Sequence, residues 1–335
     1  LLAITAKNIA ESGTYEMSRA PAHPLQEFLY ALMYHNGLFA FATNLLSAVA
    51  SVIATIFFAL SLKQLDFKYY LFASFAFAFT PVVFISSTYT IDYMLAMALV
   101  MGSFYFLLKN NFWLAGILLG LSIGFRITSA AMLIPFCIFA WRDLKLRPAK
   151  FFMLATSMAF VGFLAYIPVI KTYGLFFFTY ADQFPYPNLP KVLYKATIGV
   201  FGAIGTFIVF FFLIKIAIRK FSTKEKMLAE IPANIFWACI AVIIIYTISY
   251  LRLPQKSNYF IPIIPFVILP LGYYLSSRSF KIFCVLITMS SFLFSMNLTD
   301  TIRGSKYSPL SMIFTISGQE IFIDPFTGPV FSDYS

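Results

Sequence analysis

The chain has 335 residues, 61% of them hydrophobic and only 11% charged, with a mean hydropathy of +0.85 and a formal net charge of +11. A soluble domain is about 45–50% apolar and about 25% charged, so this balance excludes a water-soluble enzyme and identifies an integral membrane protein. Cys137, Cys239 and Cys284 each lie inside an apolar run, without CxxC spacing or a neighbouring histidine, and read as small buried apolar residues.

The scarce polar chemistry is gathered in the opening stretch. Between Lys7 and Gly37 stand Glu11, Glu16, Glu27, both histidines (His23 and His35), Arg19, Pro21 and Pro24. The apolar runs Leu1–Ala10 and Leu25–Tyr34 are split by Gly13 and the Arg19–Pro24 turn, and neither reaches the roughly 20 residues that cross a bilayer. They predict amphipathic helices on the membrane surface. Spans are then expected near Leu38–Leu62, Tyr69–Ser86, Asp92–Leu108, Phe112–Gly124, Ile127–Trp141, Phe151–Tyr173, Ala196–Ile218, Ile235–Tyr250, Tyr259–Leu275 and Ile282–Asn297. The expected fold class is an all-α polytopic membrane protein of about ten spans. Its expected parts are a first extracytoplasmic loop (1–37), a helical membrane domain (38–298) and a tail (299–335) that begins a small outer domain.

One set of loops carries 14 of the 24 basic residues and only 4 of the 13 acidic ones, from Lys63 and Lys68 through Lys215 to Arg278 and Lys281. The positive-inside rule places that set in the cytoplasm. The opening loop, Asp92, Arg126, the Leu175–Lys195 loop with Asp182, the Arg252–Asn258 loop and the tail then face outward. The basic excess is therefore a topology signal and implies no nucleic-acid partner.

Each outward residue has a plain and a functional reading. Asp92 opens a span, where an acid also complements the helix dipole, yet ionisable groups at membrane depth usually serve function. Arg126, at the tip of the hairpin Phe112–Pro135, is either a snorkelling anchor or a phosphate ligand. Arg252 and Lys256 are interface anchors or further phosphate ligands, with Tyr259 beside them. His23 and Glu27 share an i,i+4 spacing that suits a metal, but two ligands without a third define no site; a divalent cation stays open and no cofactor is assigned. His35, Glu11 and Glu16 read as ordinary surface residues. Cations at the interface suit a lipid phosphate, and carboxylates beside them suit proton removal from a hydroxyl.

Four segments in order carry a resemblance. AKNIAESGTY followed by SRAPAHPLQEFLYAL resembles the first outer loop of the GT-C glycosyltransferases, nearest the protein O-mannosyltransferases and the lipid A aminoarabinose transferases. FTPVVFISSTYTIDYMLAMAL is similar to their next outer loop, with Asp92 at its acid. LAGILLGLSIGFRITSAAMLIP is similar to a glycine-bearing hairpin with a basic residue, Arg126, where lysine is common. LPQKSNYFIPIIPFVIL resembles a segment whose cation and tyrosine are Lys256 and Tyr259. The resemblance implies a GT-C-like helical bundle and inverting transfer of a sugar from a polyprenyl-phosphate carrier to a protein, lipid or glycan acceptor. The active face would be extracytoplasmic, in a plasma, inner or endoplasmic-reticulum membrane. It implies that Arg126, Lys256, Arg252 and Tyr259 hold the donor phosphate, that Asp92 and Glu27 position the acceptor, and that His23 and Arg19 shape the pocket. The family's principal acid falls ahead of the segment matching Leu1, so the chain is expected to be a fragment. A transporter or flippase for lipid-linked glycans would use the same outward cations without chemistry. A polymerase or ligase with a pyrophosphate-linked donor would favour paired arginines in a long outer loop, and Leu175–Lys195 contains none.

Overall fold

A backbone in hydrocarbon must satisfy its own N–H and C=O groups, so long apolar runs without internal charge fold as helices. The computed structural model describes residues 1–34, 38–143, 148–175, 186–222, 231–293, 295–299, 312–316 and 319–324. His35 and Asp182 lie outside the described residues. Two helices of 11 residues open the chain, α1 (Leu2–Ser12) and α2 (Pro24–Tyr34). They are followed by α3 (Phe39–Gln64), α4 (Tyr70–Ala78), α5 (Pro81–Ser86), α6 (Tyr93–Leu108), α7 (Phe112–Phe125), α8 (Leu133–Asp143) and α9 (Pro148–Tyr173). The second half contains α10 (Leu189–Ala196), α11 (Ile198–Ser222), α12 (Ala233–Arg252), α13 (Ile264–Tyr274) and α14 (Ser277–Leu293). Short 3-10 helices, Ile127–Met132 and Ser257–Ile263, precede α8 and α13.

By length and composition, 5 helical segments can cross a membrane: Phe39–Gln64, Pro148–Tyr173, Ile198–Ile216, Ala233–Arg252 and Ser257–Tyr274. Tyr93–Leu108, Phe112–Phe125 and Ile127–Trp141 are apolar but shorter. The protein is thus helical and membrane-integral, and the described helices bear out five long spans rather than ten. The span expected over Tyr69–Ser86 is two helices, because Pro81 has no N–H to continue α4 and instead starts α5. The span expected to run to Asn297 stops at Leu293. Beyond it the all-helical expectation gives way to a small antiparallel sheet of β1 (Ser295–Thr299), β2 (Met312–Ile316) and β3 (Gln319–Asp324), in the order β1-β3-β2. Ser295 pairs with Asp324, and Met312 with Ile323.

The chain divides into two compact units. The first comprises Leu1–Lys68, Ser86–Pro185 and Ala233–Ile245; the second comprises Tyr69–Ile85, Tyr186–Pro232 and Tyr246–Ser335. In the first, α6 packs on α3 and α7, and α7 packs on α9. The last contact is set by glycines one turn apart. A Cβ on Gly116 would lie 1.8 Å from Ser157 Oγ and 2.6 Å from the Leu154 carbonyl, and one on Gly120 would lie 2.7 Å from the Met158 carbonyl. Small residues of this kind let helix backbones approach within a membrane, where no hydrophobic force draws helices together.

The two ends of this unit differ chemically. At one end Lys150 reaches Asn110 (3.3 Å) and lies over the Phe112 ring, with Lys109 over Tyr105. At the other, the start of α6 and the ends of α7 and α9 meet the loop between α1 and α2. In the second unit, α11 packs on α14 and bends at Gly202, whose φ of 71° no β-carbon-bearing residue adopts easily. Gly199 lies so close to the Ser257 hydroxyl that a Cβ would sit 2.2 Å from it.

Candidate functional site

Gly13 ends α1 in the left-handed region (φ 67°), returning its N–H to the Ile9 carbonyl at 2.9 Å. The chain then runs through the cis Ala20–Pro21 bond to His23 and enters α2 at Pro24. Glu27, one turn into α2, gathers this loop. Its buried carboxylate accepts from the Tyr15 hydroxyl (2.5 Å), the Ser18 N–H (2.8 Å), the Ser18 hydroxyl (2.6 Å) and the His23 N–H (3.3 Å). Burial pushes the Glu27 carboxyl up, against the pull of those donors, and burial with the nearby carboxylate also raises the Tyr15 phenol. The loop is tied to α9 by the Met17 N–H donating to the Tyr173 hydroxyl (3.1 Å) and the Tyr166 hydroxyl donating to the Ala22 carbonyl (3.1 Å).

Beside this clasp sits an ion cluster. Asp92 precedes α6 and is fully buried, yet its side chain makes no capping bond to that helix. It accepts instead from Arg126 Nη1 at 2.5 Å and from Arg19 Nη2, with His23 Nδ1 at 3.7 Å. Both carboxylate oxygens are thus directed to arginines, while the charge still stands at the N-terminus of α6. Arg126 follows α7 in an extended conformation (φ −150°) that turns its guanidinium inward, where its Cζ stacks 3.7 Å above the Tyr93 ring. Only 12% of the Arg126 side chain is exposed, so it is no snorkelling anchor. Ahead of Asp92, the Thr90 hydroxyl donates to Asn44 (2.6 Å) and lies 2.7 Å from that of Thr43, fixing the approach to α6 against α3.

His23 Nε2 accepts from Arg19 Nε at 3.1 Å, and Nδ1 faces the Phe125 carbonyl at 2.7 Å, an arrangement met by a neutral ring protonated on Nδ1. Burial lowers its pKa to about 4, outweighing the Asp92 carboxylate that favours the charged form, with Arg19 and Arg126 adding to the lowering. Two guanidinia and one carboxylate then leave the cluster with one excess positive charge. An unfolded histidine titrates near 6.5, so this group contributes stability that is present above that value and is lost as pH falls toward 4. A difference of this size corresponds to about 3 kcal/mol at full protonation. Thermal unfolding at pH 7 and pH 4.5 is expected to show this loss in the wild type and a smaller one in His23→Gln, whose amide retains a donor and an acceptor.

The structure thus brings together four of the expected site residues, Asp92, Arg126, Arg19 and His23, and places Glu27 in the adjoining clasp. The His23 ring and the Glu27 carboxylate turn to different partners, and among the described residues no group of three or more His, Cys, Asp or Glu could hold a metal ion. Arg252, Lys256 and Tyr259 belong to the second unit. There Arg252 is the exposed last residue of α12, and Lys256 and Tyr259 are half-buried where Ser257–Ile263 begins. Buried Lys195 donates to the neighbouring Gln255 carbonyl. Glu11 pairs loosely with Lys7 at the surface (3.9 Å), and Glu16 accepts from Asn8 (2.7 Å).

Tyr15, Ser18, Tyr93 and Lys195 were not expected from the sequence; the first two stand four and one residues ahead of Arg19 and carry no spacing that announces a contact with Glu27. Gln26 and Tyr30, one turn apart on α2, are fully buried. No family model, no curated protein and no solved structure matches the chain.

Proposed function

We propose that the protein is a membrane glycosyltransferase that moves a sugar from a polyprenyl-phosphate carrier to an acceptor on the extracytoplasmic face. The observation that carries this reading is the Arg19–Asp92–Arg126 cluster, a net cation at the polar end of an otherwise apolar helical unit. Arg19 is the member open to a ligand: its side chain is 32% exposed, and its Nη1 makes no hydrogen bond to the described residues. A guanidinium so placed suits the bidentate geometry of a phosphate. Asp92 orients the two arginines, and neutral His23 holds Arg19 from the other side without adding charge. Lys256, Arg252 and Tyr259, which the family resemblance also assigns to the donor phosphate, stand in the second unit.

The oxygens of Asp92 and Glu27 are already engaged by cations and loop donors, which suits them to positioning. Neither is well placed as the proton acceptor from the incoming hydroxyl.

Binding of a short polyprenyl phosphate to the protein in lipid nanodiscs checks the phosphate role. A charge-assisted bond to a phosphate contributes about 1.5–3 kcal/mol, so Arg19→Ala is expected to weaken binding roughly 10- to 100-fold. Arg19→Lys should recover only part of that, since an ammonium keeps the charge but loses the fork. Equal affinity in wild type and Arg19→Ala would remove the cluster from the donor site.

A further inference from the structure

A second site lies on the basic side of the molecule, within the second unit. An open groove of about 230 Å³ runs between α4 and α14, lined by Phe72, Phe75, Cys284, Val285, Thr288 and Met289. The four α14 residues fall on one helix face, and the same face continues one turn toward the N-terminus to Lys281. The Lys281 Nζ lies 5.5 Å from the centroid of Phe72, a ring that also lines the groove, and 5.7 Å from that of Tyr69. A cation therefore stands at the head of an apolar channel and shares a wall with it.

Two further cations stand at this level. Arg278 is exposed three residues before Lys281, and Lys215 of α11 reaches the Ser279 hydroxyl at 3.3 Å. No carboxylate pairs with Lys215, Arg278 or Lys281 among the described residues, and neither α4 nor α14 contains an acid. Arg278 and Lys281, on one face of α14 and without a counter-ion among the described residues, call for an anion. The channel below them calls for a hydrocarbon chain.

Length limits which lipid that is. From Lys281 to Met289 the helix rises about 12 Å, close to the roughly 15 Å of hydrocarbon in one leaflet, half of a core about 30 Å thick. The α14 helix packs on α11, whose Ile198–Ile216 stretch can cross a membrane, so the groove lies at hydrocarbon depth. We propose that this groove binds one anionic phospholipid of the leaflet on the basic side, its phosphate held by Lys281 and Arg278, which share one face of α14, and one acyl chain lying along Val285 and Met289. The site is independent of the glycosyltransferase reading and of the Asp92 cluster.

Native mass spectrometry of the protein released from mixed phosphatidylglycerol and phosphatidylcholine nanodiscs tests it. Each basic residue near a membrane surface adds to the attraction for anionic lipid. The wild type is expected to retain one phosphatidylglycerol with about tenfold preference over phosphatidylcholine. In the double variant Lys281→Gln, Arg278→Gln that preference should fall to near parity. Val285→Trp, at an exposed position that fills the groove, should reduce retention of both lipids while circular dichroism stays unchanged. Equal retention of the two lipids by the wild type, or selectivity that survives in the double variant, would overturn the proposal. Retention unaffected by Val285→Trp would overturn the placement of the acyl chain.

Discussion

Asp92→Ala is expected to destabilise the first unit by about 3–5 kcal/mol, because it leaves two guanidinia facing each other with their shared counter-ion gone. The carboxylate is fully buried and Arg126 nearly so, which keeps solvent from screening the repulsion. Isolated surface ion pairs are worth about 0–1 kcal/mol, so a loss below that size would mean that the cluster is solvated and contributes little. The partner variant Arg126→Met separates the two explanations. If the cost of Asp92→Ala comes from uncompensated charge, Arg126→Met in the same chain should recover part of it. A double-mutant cycle by reversible unfolding in mixed micelles measures that coupling.

Gly116→Ala should also be damaging, although it adds one methyl group far from any charge. Its Cβ would lie 2.6 Å from the Leu154 carbonyl, a backbone atom that cannot rotate away as the Ser157 hydroxyl can. The expected cost is about 1–3 kcal/mol, and more for Gly116→Leu, because α7 must lift from α9 to make room. The functional consequence follows from connectivity. Arg126 is the residue at which α7 ends, and the Phe125 carbonyl that receives His23 precedes it. A shift of α7 therefore moves both the cation and the histidine's partner. Gly102→Ala is the matched control: the atoms nearest its Cβ would be those of the Phe57 and Leu118 side chains, at 3.2 Å and 3.3 Å, which can yield. Thermal unfolding of the three variants should rank them Gly102→Ala, Gly116→Ala, Gly116→Leu in rising damage.

Most of the helices were legible because a charge-free apolar run has one economical structure in a membrane. The long ones, α3, α9 and α12, fall within a few residues of their expected limits. Where a proline intervenes the pattern misleads: hydropathy sees one run over Tyr69–Ser86, but Pro81 divides it. The sheet beyond Leu293 was not expected; the tail reads only as the start of a small outer domain. The candidate site was legible in its members and hidden in its bonds. Asp92, Arg126, Arg19 and His23 stand out as rare polar residues in an apolar chain, but nothing local says that one carboxylate serves two arginines 73 and 34 residues away. Glu27 is a parallel case. As one of three acids in the opening loop it suggests chemistry, and only its four donors reveal a clasp.

The central claim is transfer, and the most direct measurement follows radiolabel from polyprenyl-phosphate hexose and pentose donors into the acceptor fraction of membranes carrying the protein. The account predicts that label leaves the carrier, and that Arg19→Ala and Arg126→Ala each abolish the movement at protein levels matched to wild type. Label that crosses or binds the membrane with its sugar–phosphate bond intact would contradict it and make the protein a carrier of lipid-linked sugars.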